Sequence, residues 1–527
     1  MSIKLSKNLS RFIVPFSYAV HGKADYEKLS RITTETNEAL WTPFDFSKSE
    51  CDLYDFVKPP LDSNLNKTVC HCYVINSNYR KALPDITVRF GKGKNNLPDI
   101  KLEIANVGLY LFESGVGFLW YQIETKTDSD LELIGLNNAI KEFSHHGSQV
   151  SCYQLCVKHL STGISTQDCH SASSDMPLPE DAILLGSKKK VNKYFIHSQL
   201  PKEWDEQQEY AYYERNGEIW GRYAQEEEFR FVDWVMGFLE VLNVDDFFAS
   251  REQTAGNQTR NIPDKAVLFN CVLQQSEQEL GEEERKELLK HLFYLAKGYT
   301  TKYLVPDYYL QEEKDYYFIP FQNVAWYASE EGCAQLVNVE SNGENKAFFE
   351  NTYWSRQEIY FYIYILVLQQ YYSLLKMNCK LSKLPKTLDG FRKKEARRLL
   401  TECREEINFL FTNTVYLKIS HISHQNMLYS YLEERYGLNE MIDKLKEKIT
   451  GLNSMVDTWY EDSKRKQMRT ISIVGSIFVF IQTLSNILAI YDYLPWKTCI
   501  SIWLFAALTL GIVVLISIFV AWIVDWK

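Results

Sequence analysis

The sequence lacks the positive charge on which a nucleic-acid-binding surface depends. Its 58 Lys and Arg stand against 68 Asp and Glu, a formal charge of −10, so direct nucleic-acid binding through bulk electrostatics is excluded. A cysteine framework is missing too. Eleven cysteines, an odd number, are scattered without a pattern, which fits reduced thiols in a cytosolic domain. A signal peptide is also not evident. Lys4 and Lys7 precede the apolar stretch from Phe12 to Val20, but Pro15 interrupts it, Arg11 adjoins it and no cleavage site follows. That stretch reads as an opening strand.

Enzyme motifs are absent as well. Gly91-Lys-Gly-Lys-Asn-Asn lacks the spacing of a phosphate-binding loop, and there is no HExxH, nucleophile elbow or dinucleotide fingerprint. The reading is therefore non-enzymatic, with no catalytic residue and no covalent cofactor. His145, His146, Cys152, Cys156, His159, Cys169 and His170 fall close together, yet their spacing fits no standard zinc site. Cys70-His71-Cys72 alternates along an expected strand and is a weaker candidate still.

Charge is missing from two long runs near the C-terminus. Twenty residues from Ile471 to Ile490 and twenty-six from Cys499 to Val524 carry none. Since a span needs about 20 apolar residues, the expectation is a transmembrane hairpin with spans over 471–490 and 499–524. Lys464, Arg465, Lys466 and Arg469 before it and Lys527 after it put both termini in the cytoplasm of a multi-pass protein of the inner membrane. In the first run Ser472, Gly475, Ser476, Gln482, Thr483 and Asn486 fall within an arc of roughly 120° at helical pitch. Two readings are open. The polar groups either bind helices together or line an aqueous path among several copies. Ala507-x-x-x-Gly511 in the second run permits close helix packing.

Upstream, Leu438, Ile442, Leu445, Ile449, Leu452, Val456 and Trp459 alternate steps of four and three, a heptad seam. No proline occurs from Leu438 to Leu494, so one helix of about 85 Å could run through the whole stretch. Residues 384–436 read as mainly helical, with a basic run at Arg392-Lys393-Lys394 and Arg397-Arg398. The uncharged stretch from Ile359 to Leu375 holds five tyrosines and Gln369-Gln370 and reads as a buried helix of the soluble part.

The remainder reads as α+β. Strands are expected over 86–90, 101–104, 109–112 and 117–123, the last two joined by a hairpin turn at Glu113-Ser-Gly-Val, and over 316–320 and 334–339. Helical patterns cover 131–144, 225–249 and 282–297. A polar stretch from Ser250 to Pro263 reads as a loop, and its Arg251, Gln258, Arg260 and Asn261 could hold an anion or nucleotide.

The expected architecture is an α+β cytoplasmic domain over 1–350, a helical region and stalk over 351–469, and a hairpin over 470–527. That order of elements resembles the CorA family of divalent-cation channels, whose membrane part is all helical. The family's first span ends in Tyr-Gly-Met-Asn; here Tyr491 is followed by Asp492-Tyr493-Leu494, so the signature is not kept. The chain looks similar to a divergent branch accompanying type III CRISPR systems, on its Tyr-rich cytoplasmic part and the opening Phe12-Ile-Val-Pro-Phe16. The resemblance implies a homopentameric membrane effector in antiviral defence, opened by SAM-AMP, a conjugate of S-adenosylmethionine and AMP. Asp492 would then add an acidic ring to the path lined by the stripe, with Mg2+ or another divalent cation as permeant or regulatory ion. An ordinary Mg2+ transporter and a membrane-tethered scaffold are the alternatives.

Overall fold

A computed structural model describes residues 4–18, 41–44, 52–61, 69–75, 85–88, 100–143, 149–153, 158–159, 183–186, 212–215, 218–221, 227–239, 242, 244–255, 258–277, 281–341, 343–382, 390–413, 415–493, 507, 511 and 514. Thirteen strands form one mixed sheet: β1 (Leu5–Tyr18), β2 (Trp41–Pro43), β3 (Cys70–Ile75), β4 (Asp85–Val88), β5 (Ile100–Phe112), β6 (Val116–Thr125), β7 (Gln149–Tyr153), β8 (Glu227–Arg230), β9 (Val244–Phe247), β10 (Val267–Ser276), β11 (Tyr317–Phe321), β12 (Val324–Ser329) and β13 (Gly332–Glu340). The main path runs β8-β7-β4-β5-β6-β1-β10-β13-β12-β11, with β10 and β13 parallel.

β1 is the hub. It pairs antiparallel with β6 on one edge, and with β10 and then β9 on the other. Proline in a central strand should break a ladder. Pro15 escapes this because β10 pairs only as far as Ile13 and β9 begins at Phe16, so it sits in the gap between two partners. The β5–β6 hairpin turns at Gly115 with φ 72°, a left-handed conformation that glycine adopts without a Cβ clash. Gly108 on β5 faces Trp120 on β6, and a Cβ there would lie 2.3 Å from the indole.

Helices cover both faces of the sheet. Phe12, Val14 and Phe16 point into a core with Leu109, Leu119 and Tyr121. That core is closed by α1 (Asp130–Lys141), α2 (Phe231–Leu239) and α3 (Glu282–Lys297). Two short helices follow, α4 (Asp307–Gln311) and α5 (Glu313–Tyr316). The alternate residues of the strands meet α6 (Gln357–Ser382). Trp120 and Phe269 lie edge-on to Phe361, and Phe118 lies edge-on to Tyr372. The other side of α6 packs on α8 (Ser423–Arg435), where Gln370 donates to Tyr429 at 2.8 Å. A helix enclosed on every side must be apolar all round, which is why Ile359 to Leu375 carries no charge.

At this boundary Arg11, 2% exposed, is held by Gln122 at 2.8 Å and by the carboxylate of Glu358, and its guanidinium lies 4.4 Å from the Phe361 ring centre. The remaining helices are α7 (Gly390–Asn413) and α9 (Leu438–Tyr493). The chain divides into two compact units, Met1–Ser382 with Glu405–Asp443, and Lys383–Arg404 with Lys444–Lys527.

The expected fold class needs correction. In place of an α+β domain leading into a C-terminal two-helix transmembrane hairpin, the described residues form a large mixed sheet with helices, and the CorA-like, all-helical membrane part is not seen among them. Among the described residues no helix is long and apolar enough to cross a membrane. The apolar residues of the first run are interrupted by Gln482, Thr483, Ser485 and Asn486, which are uncharged and polar. The second run lies outside the described residues apart from positions 507, 511 and 514. Two smaller readings change as well. The pattern at 225–249 resolves into strand, helix and strand, and the stretch from Ser250 to Pro263 is a two-stranded ribbon.

Glu358 is 49% exposed whereas Arg11 is buried, so removing the carboxylate strands a buried cation. Glu358→Gln should cost about 3 kcal/mol, the low end for breaking a buried pair. Arg11→Met, which removes the buried charge itself, should cost less. Urea unfolding followed by tryptophan fluorescence tests this order, and a smaller loss for Glu358→Gln would contradict it.

Candidate functional site

α3 begins after Gly281, where three glutamates in the first turn complement the helix dipole. Its apolar residues Leu288, Leu289 and Leu292 recur at i, i+1 and i+4 and turn toward β12 and β13. Between them lies a cavity of about 220 Å³, floored by these leucines with Val324 and Leu336. Its mouth carries Arg285, Gln322, Asn323 and Glu340, and the buried Asn338 lines its wall. An apolar floor with a few polar groups at the rim is the ordinary form of a small-ligand site. The volume is below the ~300–1,000 Å³ of drug-sized sites, so a whole dinucleotide does not fit.

A second constellation lies at the far end of α3. The buried Lys141 ammonium donates to the carbonyl of Lys297, and Asn138 donates to the carbonyl of Gly298 at 2.7 Å. Both therefore satisfy carbonyls that the helix end leaves open. Tyr299 donates to Glu331 at 2.8 Å, and Lys265 lies 3.3 Å from the same oxygen. Burial pushes Lys141 down to about 8, opposed by Glu331 and Glu142, while burial and Glu331 push Tyr299 up. A cationic group at a helix C-terminus is favourable, and the arrangement works as a buried cap.

The residues named from sequence fall in two other places. In the ribbon Arg251 opposes Ile262, Gln253 opposes Arg260, and Ala255 opposes Gln258. Opposed positions share a face of an antiparallel pair, so positions 251, 258 and 260 lie on one face and 261 on the other. Ser472, Gly475, Ser476, Gln482, Thr483 and Asn486 all lie on α9, as does Asp492. The Ser476 hydroxyl donates to the Ser472 carbonyl at 2.8 Å and Thr483 donates to Val479 at 2.7 Å. These hydroxyls are thus satisfied within the helix, while Gln482 and Asn486 are exposed.

In the seam, Leu438, Ile442, Leu445 and Ile449 are buried within the single chain. Cys70 and Cys72 lie on β3 with their sulfurs 3.1 Å apart. The His and Cys cluster lies outside the described residues except at positions 152 and 159, and no group of three metal-ligating residues occurs among the described residues. The α3 cavity escaped sequence reasoning because its floor looks like any helix core face; only the Arg285 position, four residues before Leu289, hints at a charged rim. No family model, curated protein or solved structure matches the chain.

Lys141 yields a pH prediction. Its pKa falls from 10.5 to about 8 on folding, so between those values the unfolded chain binds the extra proton and stability rises with pH. In Lys141→Met this contribution vanishes. The gap in urea midpoint between wild type and variant should therefore move in favour of the wild type from pH 8 to 10.5. A gap that does not change with pH would refute the assignment.

Proposed function

We propose that the chain is a membrane effector controlled by a small nucleotide, acting as a self-associated assembly that perturbs a bilayer or its ion balance. One observation carries this reading. Ile471, Ile473, Val474, Ile477, Phe478, Val479 and Ile481 on α9 are 53–72% exposed. At 100° per residue six of them spread over the helix surface outside the arc of the polar stripe, and Val479 falls within that arc. Fully burying such a side chain is worth about 1.5–3 kcal/mol, so covering seven would release on the order of 10 kcal/mol. A surface of this kind calls for an apolar partner.

The residues just before it name the partner's chemistry. Lys464, Arg465, Lys466 and Arg469 are all exposed, and each basic residue near an anionic leaflet adds about 1 kcal/mol. Apolar surface beside a basic collar suits the cytoplasmic face of a bilayer. Within an assembly the stripe of Gln482 and Asn486 turns away from lipid, because carboxamides facing hydrocarbon lose their hydrogen bonds. The controlling nucleotide, SAM-AMP, and the place in type III CRISPR defence rest on the resemblance to the divergent CorA-like branch. A ligand can switch such an assembly only by binding its two states unequally.

Vesicles of anionic lipid loaded with a self-quenching dye test the reading. The full chain should float with them and release dye when SAM-AMP is added, and Gln482→Leu with Asn486→Leu should suppress release without abolishing flotation. Replacing the four basic residues by Gln should weaken flotation on anionic vesicles and leave neutral ones unaffected. If the chain neither floats with vesicles nor releases dye, with or without the nucleotide, the reading fails.

A further inference from the structure

The first turn of α8 is fastened to the core by a chain of hydrogen bonds whose direction is fixed. The chain starts at Gln357, which donates to the Gln335 carbonyl oxygen at 2.6 Å, and Gln335 donates to the Tyr353 hydroxyl at 2.8 Å. Tyr353 is bonded in turn to Tyr360, whose hydroxyl lies 3.0 Å from Nε2 of His424 on α8. The four residues before the histidine are at most 3% exposed. An amide NH2 only donates, so each hydroxyl must pass its own hydrogen outward, from Tyr353 to Tyr360 and from Tyr360 to the imidazole. Among the described residues the side chain of Gln357 leaves its carbonyl oxygen without a donor. Running the chain the other way would strand its NH2 instead, and a buried donor without a partner is the rarer fault. His424 therefore accepts at Nε2, which only the neutral ring can do.

His424 is half-buried. The Phe321 ring of β11 lies edge-on to it at 5.3 Å. The charged groups that act on it are Arg356, just before α6, and Asp52, which pair with each other at 3.3 Å. Burial and then Arg356 hold His424 below the ordinary imidazole value, opposed by Asp52, so the ring is neutral at neutral pH and the chain is closed. Later turns of α8 have anchors of their own, Tyr429 through Gln370 and Tyr431 through the Tyr316 carbonyl.

We propose that His424 is a proton-sensing latch: neutral, it holds the first turn of α8 against α6, and protonated, it lets that turn go. Protonation puts an N–H where the chain needs an acceptor. The Tyr360 hydroxyl, which already accepts from Tyr353, then has a hydrogen with no acceptor inside the core, and the imidazolium stands near the Arg356 cation. In the released form the ring meets water and titrates near its ordinary value of about 6.5. Below that value the released form takes up a proton that the closed form refuses, so acid favours release. The latch lies wholly within the first unit and requires neither a bilayer nor a nucleotide, so it stands or falls apart from the membrane reading.

Hydrogen–deuterium exchange of the full-length protein, corrected for the intrinsic pH dependence of amide exchange, tests the latch between about pH 7.5 and about pH 5. Peptides covering residues 424–431 should exchange about tenfold faster at the lower pH, measured against α3 in the same sample. In His424→Gln, whose carbonyl oxygen accepts from Tyr360 but does not titrate, this acceleration should vanish. Asp52→Asn removes the group that favours the cation and should move the midpoint of the transition to lower pH. The proposal is overturned if α8 in the wild type gains no exchange beyond that of α3, or if His424→Gln keeps the acceleration. A midpoint that Asp52→Asn leaves in place or raises equally overturns it.

Discussion

The fold depends on β1 being buried on both faces. From Ser10 to Phe16, where it is buried without interruption, the strand leaves no route to water for a polar group. Arg11 nevertheless lies on the face that meets α6, and the cost of burying its charge is offset only because α6 supplies Glu358 and β6 supplies Gln122. The pair joins the first strand to a helix almost 350 residues later in the chain (347 positions apart). It therefore sets which turn of α6 lies over the middle of the sheet, and α6 in turn positions everything packed on its outer side.

The high tyrosine content follows from this layering. Between the sheet and α8, α6 buries rings against both neighbours, and each tyrosine ring there carries a hydroxyl that needs a partner. Tyr364 pairs with Tyr436 at 2.7 Å, Tyr360 with His424 at 3.0 Å, and Gln335 donates to Tyr353 at 2.8 Å. Burial raises the phenol pKa values of Tyr364 and Tyr436 well above the ordinary value, so the layer stays neutral. A layer linked in this way resists sliding, because a shift of one turn would strand several buried hydroxyls together.

Much of the sheet was legible from local chemistry. Glu113-Ser-Gly-Val between two apolar runs signals a tight hairpin, because the turn needs a positive φ and Gly115 supplies it. The pattern at 282–297 matches α3 at both ends, since the glutamates that start it and the Gly298 that stops it act within one turn. The stretch from Ile359 to Leu375 reads as buried because five tyrosines and two glutamines suit a protein interior better than lipid. The ribbon at Ser250 to Pro263 was missed since its pairing has no apolar alternation to announce it. The helical pattern at 225–249 misled for a related reason: short apolar runs serve strands and helices alike.

By itself the sequence determined what depends on neighbours within a few residues: turns, caps, the continuity of α9 without proline, and which runs exclude charge. Tertiary structure decided what depends on enclosure. Whether an uncharged run is a core helix or an exposed one is settled by what lies against it, and α6 and the distal part of α9 have opposite answers. Ile359 to Leu368 disappear between sheet and α8, whereas Ile471 to Ile481 remain in the open. The cavity beneath α3 is likewise a product of assembly, because its floor comes from α3, β12 and β13 and its charges from positions 55 residues apart (Arg285 and Glu340). Hydrophobicity is a property of a residue, but burial is a property of its surroundings, and only the folded chain supplies those.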